Sequence, residues 1–158
     1  MTTRLLSLVL TATLLIFSAS ALAQAPGHIM MKAGEVKWAD APPSFPPGGA
    51  KLAVLEGDLS KPGPFTMRIK LPANYKVPPH FHPAIEHVTV LSGTFYLGMG
   101  EKFDEKKGAG FPVGGFVVMP EKTPHFAWTK GDVTIQVHGV GPWGLTYVNP
   151  DDDPRKKK

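Results

Sequence analysis

Cysteine is absent from this 158-residue sequence. Disulfides and thiolate metal ligands are therefore excluded, and so is lipid attachment through a cysteine at a processing site. Charged residues are also sparse, at 19% of the chain, and four of the bases stand together in residues 155–158 beside the acidic residues 151–153. A mixed charge run of this kind is typical of a solvated, disordered end. Because the other basic residues are scattered, we predict no nucleic-acid partner.

Long apolar segments are missing beyond the first residues. Residues 5–17 form an uncharged apolar run after Arg4, and Ala21-Leu22-Ala23 supplies small residues at the spacing of a signal-peptide cleavage site. The run is shorter than the ~20 residues that a membrane span needs. We therefore predict a secretory signal peptide over residues 1–23, a periplasmic or secreted mature chain, and no membrane span in that chain.

The remaining residues are divided into short segments by 17 prolines and 17 glycines, which disfavours long helices. Segments 88–91 and 95–97 flank the turn signal Ser92-Gly93 and predict a β-hairpin. The apolar run 116–119 predicts a buried strand. Strands with alternating apolar and polar residues are predicted over residues 65–71 and 133–138. Many short strands with frequent turns indicate an all-β sandwich or barrel.

The chain also shows where this β domain begins and ends. Residues 24–50 contain two proline pairs and predict an irregular N-terminal arm, and the glycine-rich residues 98–115 predict a polar connection. We expect one β-barrel domain over residues 51–149 and a charged, disordered tail over residues 150–158.

Histidines and one glutamate form a candidate metal site. His80 and His82 are two residues apart on a predicted strand, so both imidazoles point to the same face. Glu86 follows at an even spacing, and His125 comes from a separate strand. Such a nitrogen and oxygen donor set suits a divalent first-row transition metal: Fe, Mn, Ni, Cu or Zn. The His80–His82 pair alone is weak evidence, because nearby histidines are often merely polar surface.

The same residues resemble the two sequence motifs of the cupin superfamily. Residues 74–93 read N-x5-H-x-H-x3-E-x6-G, and residues 114–129 read G-x5-P-x-K-x2-H-x3-T. The resemblance implies a single jelly-roll-like cupin β-barrel, often paired as a homodimer. It also implies that the four metal ligands are His80, His82, Glu86 and His125. Glycine or asparagine of the family pattern is replaced at three other positions: Asn74, Lys122 and Thr129.

Function is less constrained, since cupins host many activities. One hypothesis is a metal-dependent, oxygenase-like enzyme that acts on a small organic molecule. The other is a non-catalytic metal-binding, ligand-binding or sensor protein of the cell envelope. Thr134, Gln136 and His138 share one strand face and either line the barrel mouth around the metal or face solvent. The sequence identifies no general base beyond the ligands themselves.

The export hypothesis predicts a mature N-terminus at Gln24, because signal peptidase cleaves after small residues such as Ala21 and Ala23. N-terminal sequencing of the protein recovered outside the cytoplasm measures this directly. An uncleaved, membrane-embedded product would contradict it.

Overall fold

A computed structural model describes residues 27–156. The signal peptide expected over residues 1–23 lies outside these described residues. Within them the chain forms strands joined by turns and four single-turn 3-10 helices. The strands are β1 (Ala39–Asp40), β2 (Lys51–Glu56), β3 (Gly63–Leu71), β4 (Lys76–Phe81), β5 (Glu86–Ser92), β6 (Phe95–Met99), β7 (Gly108–Phe111), β8 (Phe116–Met119), β9 (His125–Thr129), β10 (Val133–Gly141) and β11 (Thr146–Tyr147). No described helix is long and apolar enough to span a membrane.

The strands form two antiparallel sheets around one apolar core. The six-stranded sheet has the order β1-β2-β3-β10-β5-β8, and the five-stranded sheet has the order β11-β4-β9-β6-β7. Alternate residues of β3 and β10 are buried, because one face of each strand packs inward and the other faces out. The two sheets do not close into a strict barrel but form a jelly-roll-like sandwich. The predicted all-β, jelly-roll-like fold is confirmed, as are the strands predicted over 65–71 and 133–138.

The predicted hairpin around Ser92-Gly93 is wrong. Strands β5 and β6 follow one another in sequence but belong to different sheets, so the turn carries the chain from one sheet to the other. Gly93 has a φ of 75°, and a Cβ there would lie 2.3 Å from the carbonyl oxygen of Asp132. The turn signal was therefore correct, but local sequence does not show which strand pairs with which, because both strands pair with distant segments.

The prediction of a buried strand over residues 116–119 is also wrong. Strand β8 lies at the edge of the six-stranded sheet, and the side chains of Phe116 and Val118 are 55% and 43% exposed. Only the alternate residues Val117 and Met119 turn toward the core. A short apolar run does not reveal whether a strand is covered on both faces.

The two ends of the domain contain more structure than the sequence suggested. In the N-terminal arm, β1 pairs with β2 and so fixes the arm along the six-stranded sheet. Residues 150–156 form two 3-10 turns, Pro150–Asp152 and Pro154–Lys156, where a disordered tail was expected. The side chain of Asn149 accepts a hydrogen bond from the backbone N–H of Asp151, which caps the first turn. Residues 98–115 likewise include a 3-10 turn and β7.

The three positions that depart from the family motifs keep the local structure. Asn74 and Lys122 adopt left-handed φ values of 59° and 54°, where glycine would be unstrained. Thr129 replaces an asparagine and is buried. Its hydroxyl accepts a hydrogen bond from the backbone N–H of Tyr75 (2.9 Å) and donates one to the carbonyl of Pro72 (2.6 Å). Thr129 therefore ties β9 to the turn that precedes β4.

Replacing Thr129 by valine keeps its shape but leaves the buried N–H of Tyr75 and carbonyl of Pro72 without this partner. We expect T129V to lower the free energy of unfolding by about 1–3 kcal/mol, the cost of buried unsatisfied polar groups. Urea unfolding measures the change, with T146V at an exposed strand position as the matched control. Equal destabilisation by both variants would contradict this role.

Candidate metal centre

The candidate ligands come from the starts and ends of strands in both sheets. His80 lies on β4, and His82 follows directly after that strand ends. Glu86 is the first residue of β5, and His125 is the first residue of β9. Because β4 and β9 pair with His80 opposite His125, residues 45 positions apart in sequence become direct cross-strand neighbours.

The structure brings all four candidate ligands together inside the sandwich. One ring nitrogen from each of His80, His82 and His125 lies within 4.8 Å of the other two, a spacing that could hold one metal ion. Glu86 lies beside this group, with its Oε2 atom 3.3 Å from Nε2 of His82 and 3.9 Å from Nε2 of His125. All four residues are at most 6% exposed.

The backbone fixes the orientation of each imidazole. The Nδ1 atoms of His80, His82 and His125 lie 2.7–2.9 Å from backbone carbonyl oxygens. A carbonyl can only accept, so each Nδ1 must carry the proton that it donates. In the neutral ring the lone pair then lies on Nε2. The carbonyls belong to Pro78, Gly144 and Thr123, respectively.

This donor set fits a divalent transition metal. Ligating histidines usually donate their second ring N–H to a carbonyl or carboxylate, which fixes the ring and its tautomer. All three histidines already have that partner, and their second nitrogens converge on one another and on a carboxylate. Three imidazoles and one carboxylate match the preferences of the first-row metals.

Burial and charge affect the three histidines differently. Burial, together with the neighbouring imidazoles, lowers the pKa of His80 and of His125 below the ordinary histidine value. Burial also disfavours the charged form of His82, but the adjacent Glu86 raises its pKa. Burial would raise the pKa of Glu86, yet the contacts with His82 and His125 lower it. The indole N–H of Trp143 also approaches this carboxylate, although not in regular hydrogen-bond geometry.

A small apolar cavity of about 40 Å³ adjoins the four residues. This volume has room for only a few water-sized molecules. Apart from the candidate ligands its walls are apolar, and they come from both sheets and from two segments outside them. The other lining residues are Phe45, Ile69, Leu71, Val77, Val88, Phe95, Leu97, Ala127, Ile135, Trp143 and Leu145.

Two of these lining residues carried no functional signal in the sequence. The indole of Trp143 stacks on the imidazole of His82, with ring centroids 4.7 Å apart and planes inclined by 20°. Phe45 reaches the cavity from the proline-rich arm, although it lies 35 residues before the first ligand. Neither belongs to a motif, and only the three-dimensional path of the loops places them here. The proline pairs that flank Phe45 were the nearest available hint.

Of the two positions left open for the polar residues of β10, the structure shows the outward-facing one. Thr134, Gln136 and His138 occupy the outer face of β10, while the alternate residues of that strand point into the core. Gln136 accepts a hydrogen bond from Arg68 (3.1 Å), and the ring of His138 stacks on that of His87, 4.9 Å away. Strand parity was correct, but the inward face is the apolar one, so these three residues do not line the cavity.

Solved structures with a similar fold are known. A provisionally assigned acetylacetone dioxygenase from Methylibium petroleiphilum PM1 is 19% identical, with a TM-score of 0.64 over 84% of this chain and 89% of that one. The polyketide cyclase RemF from Streptomyces resistomycificus is 20% identical, with a TM-score of 0.63 over 79% and 90%. The DMSP lyase DddQ from Ruegeria pomeroyi DSS-3 is 19% identical, with a TM-score of 0.59 over 75% and 64%. At these identities the likeness concerns the fold.

No curated protein matches the chain significantly. The model of one family, the ChrR cupin-like domain, matches residues 26–142, which is most of the chain. The matched range includes the arm, both motifs and all four candidate ligands. The chain therefore belongs to the ChrR cupin-like family of the cupin superfamily.

Proposed function

We propose that this protein is a metal-dependent enzyme that acts on a small organic molecule. The observation that carries the proposal is the convergence of three anchored imidazoles and one carboxylate at the edge of an apolar cavity. A bound divalent first-row metal would supply Lewis-acid or redox chemistry to a molecule held in that cavity. His80, His82, Glu86 and His125 would hold the metal.

The residues around the ligands suit a substrate with a mostly apolar body. Apolar walls exclude water and offer no hydrogen bonds that would hold a sugar or a nucleotide. Trp143 covers His82 and restricts the approach from that side. Glu86 is the buried acid at the site, and its lowered pKa keeps it ionised at neutral pH. It can therefore accept a hydrogen bond from a polar group of the substrate or ligate the metal.

A second candidate function is a non-catalytic metal-binding or sensor protein. The small cavity favours it, because 40 Å³ does not hold an organic substrate without some movement of the walls. The apolar lining also offers no acid or base besides the candidate ligands. The enzyme remains the better account because the polar donors border a cavity, whereas a purely structural site would be closed by its own ligands.

Export belongs to the same proposal. The apolar leader and the alanines before Gln24 favour a mature protein in the periplasm or outside the cell, where the absence of cysteine is compatible with an oxidising environment. In that compartment, metal supply would decide which first-row ion occupies the site.

Metal content tests the ligand assignment. H125A removes the imidazole that β9 contributes, so we expect it to lose at least about tenfold in metal affinity, as measured by competition with a chelator. The matched control is H138A, which removes a half-buried histidine from the outer face of β10 and should bind one equivalent like the unaltered protein. Equal metal content in both variants would contradict the site.

Water exchange at the metal distinguishes the enzyme from the binder. With a paramagnetic ion such as Co²⁺ in the site, an enzyme should relax solvent protons through exchangeable water, because four protein ligands leave open positions on a six-coordinate metal. Added azide should then reduce the relaxation in a saturable way. A loaded protein with no exchangeable water and no response to azide would exclude the enzyme and favour the binding protein.

A further inference from the structure

Phe45 lies between two cavities. It lines the small cavity at the candidate metal centre, and it also lines a surface groove of about 510 Å³ formed by the N-terminal arm. Within residues 27–156, no other residue lines both spaces. The remaining groove residues are Asp40, Ala41, Pro42, Pro43, Pro46, Pro47, Gly48, Gly49, Ala50, Lys76, Pro78, Asp152 and Pro154. Phe45 is thus part of the walls of both the inner and the outer space.

The segment that carries Phe45 is held by the packing of Phe45 in the core and by two hydrogen bonds that side chains donate to its backbone. The hydroxyl of Tyr147 donates a hydrogen bond to the carbonyl of Ser44 (2.8 Å), and the hydroxyl of Tyr75 donates one to the carbonyl of Pro46. These two bonds hold the backbone on either side of Phe45 to the five-stranded sheet and its connections. The segment itself belongs to no strand, since it lies between β1 and β2. It can therefore move without breaking a sheet ladder.

We propose that Phe45 is the gate between the surface groove and the metal cavity, and that its side chain limits the size of the molecule that reaches the metal. The inference rests on the proposed function, because it assigns the groove as the entry route for the small organic substrate. When the segment shifts outward, the ring leaves the inner cavity, and the two spaces join.

The dimensions support this assignment. The inner cavity alone is too small for an organic substrate, whereas ligand sites generally occupy about 300–1,000 Å³, a range that includes the groove volume. Movement of one phenyl ring would therefore turn an inaccessible site into one that a small molecule can reach. Proline pairs on both sides of Phe45 and the Gly48-Gly49 pair after it form a stiff segment with a flexible end.

The groove walls indicate which molecules would enter. Prolines and glycines supply most of the surface, so the walls are largely apolar. Two of the nearby charges are paired: Lys76 with Glu105 at 2.9 Å, and Asp40 with Lys51 at 2.5 Å. Asp152 adds a carboxylate to the lining, so a compact molecule with an apolar body and no negative charge fits this route better than an anion.

The first test measures how fast probes reach the metal in the Co²⁺-loaded protein. In F45A we expect imidazole to bind the metal at least about tenfold faster than in the unaltered protein. The binding rate of azide should rise less, because the larger probe needs the wider opening. Y75F removes one of the two hydrogen bonds and keeps the aromatic ring at position 75, so it should raise the rate of imidazole binding about fivefold. F116A, at an exposed position of β8, is the matched control and should change neither rate.

The second test does not require metal. Diethyl pyrocarbonate modifies unprotonated imidazole nitrogen, and mass spectrometry reads each histidine separately in chelator-treated protein. F45A and Y75F should accelerate modification of His80, His82 and His125, whereas the histidines outside the site, His28, His87 and His138, serve as internal references. Because F45A also removes core packing, F45L serves as a variant with a bulkier side chain. In F45L we expect a smaller increase in the rate of histidine modification than in F45A.

The outcomes separate the two proposals. Unchanged probe rates and unchanged histidine modification in F45A and Y75F would overturn the gate, even if one equivalent of metal is bound. Failure to bind metal, combined with faster modification of the inner histidines, would contradict the enzyme while supporting Phe45 as the gate to the cavity. Equal acceleration in F116A would also overturn the gate, because it would indicate general loosening.

Discussion

The hydrogen bonds from three buried imidazoles to backbone carbonyls are the constraint on which the site depends. They place the protonated nitrogen of His80, His82 and His125 against the protein and leave the other nitrogen facing the interior. The carbonyl of Pro78 belongs to β4, and those of Gly144 and Thr123 belong to connections whose paths the two sheets determine. The fold therefore specifies the tautomer as well as the position of each ring. Without these bonds, buried imidazoles would carry unsatisfied polar groups at a cost to folding.

Burial gives the same group its chemical character. His80 and His125 have lowered pKa values because water is excluded, while Glu86 stays ionised beside His82. Three nitrogen donors next to one negative charge are what a divalent cation would complete. The apolar walls that exclude water also restrict access to the candidate ligands. Among the wall residues that lie outside the two sheets, Phe45 also borders the surface groove. Metal chemistry and substrate access thus depend on different segments of the chain.

The sequence predicted the parts that follow from local periodicity and spacing. Alternation identified β3 and β10, and the two motifs identified four residues that the structure brings together. Prediction from the sequence failed where the structure depends on which strands pair. Strands β5 and β6 flank a genuine turn yet belong to different sheets. The outward position of Gln136 could not be predicted for a second reason. The two-residue period of a strand separates its two faces but does not show which face is inside. Phe45 and Trp143 were missed because irregular segments bring them to the cavity, and no pattern encodes such a path.

In the proposed function, the three histidines and Glu86 hold one transition metal inside the sandwich. X-ray absorption spectroscopy at the edge of the metal bound to the protein, recovered from its own compartment, is the most direct test of this site. We expect a stoichiometric metal with three imidazole nitrogens at about 2.0–2.2 Å and additional oxygen ligands. A spectrum with one imidazole or none, or one dominated by water as at an adventitious surface site, would exclude the site.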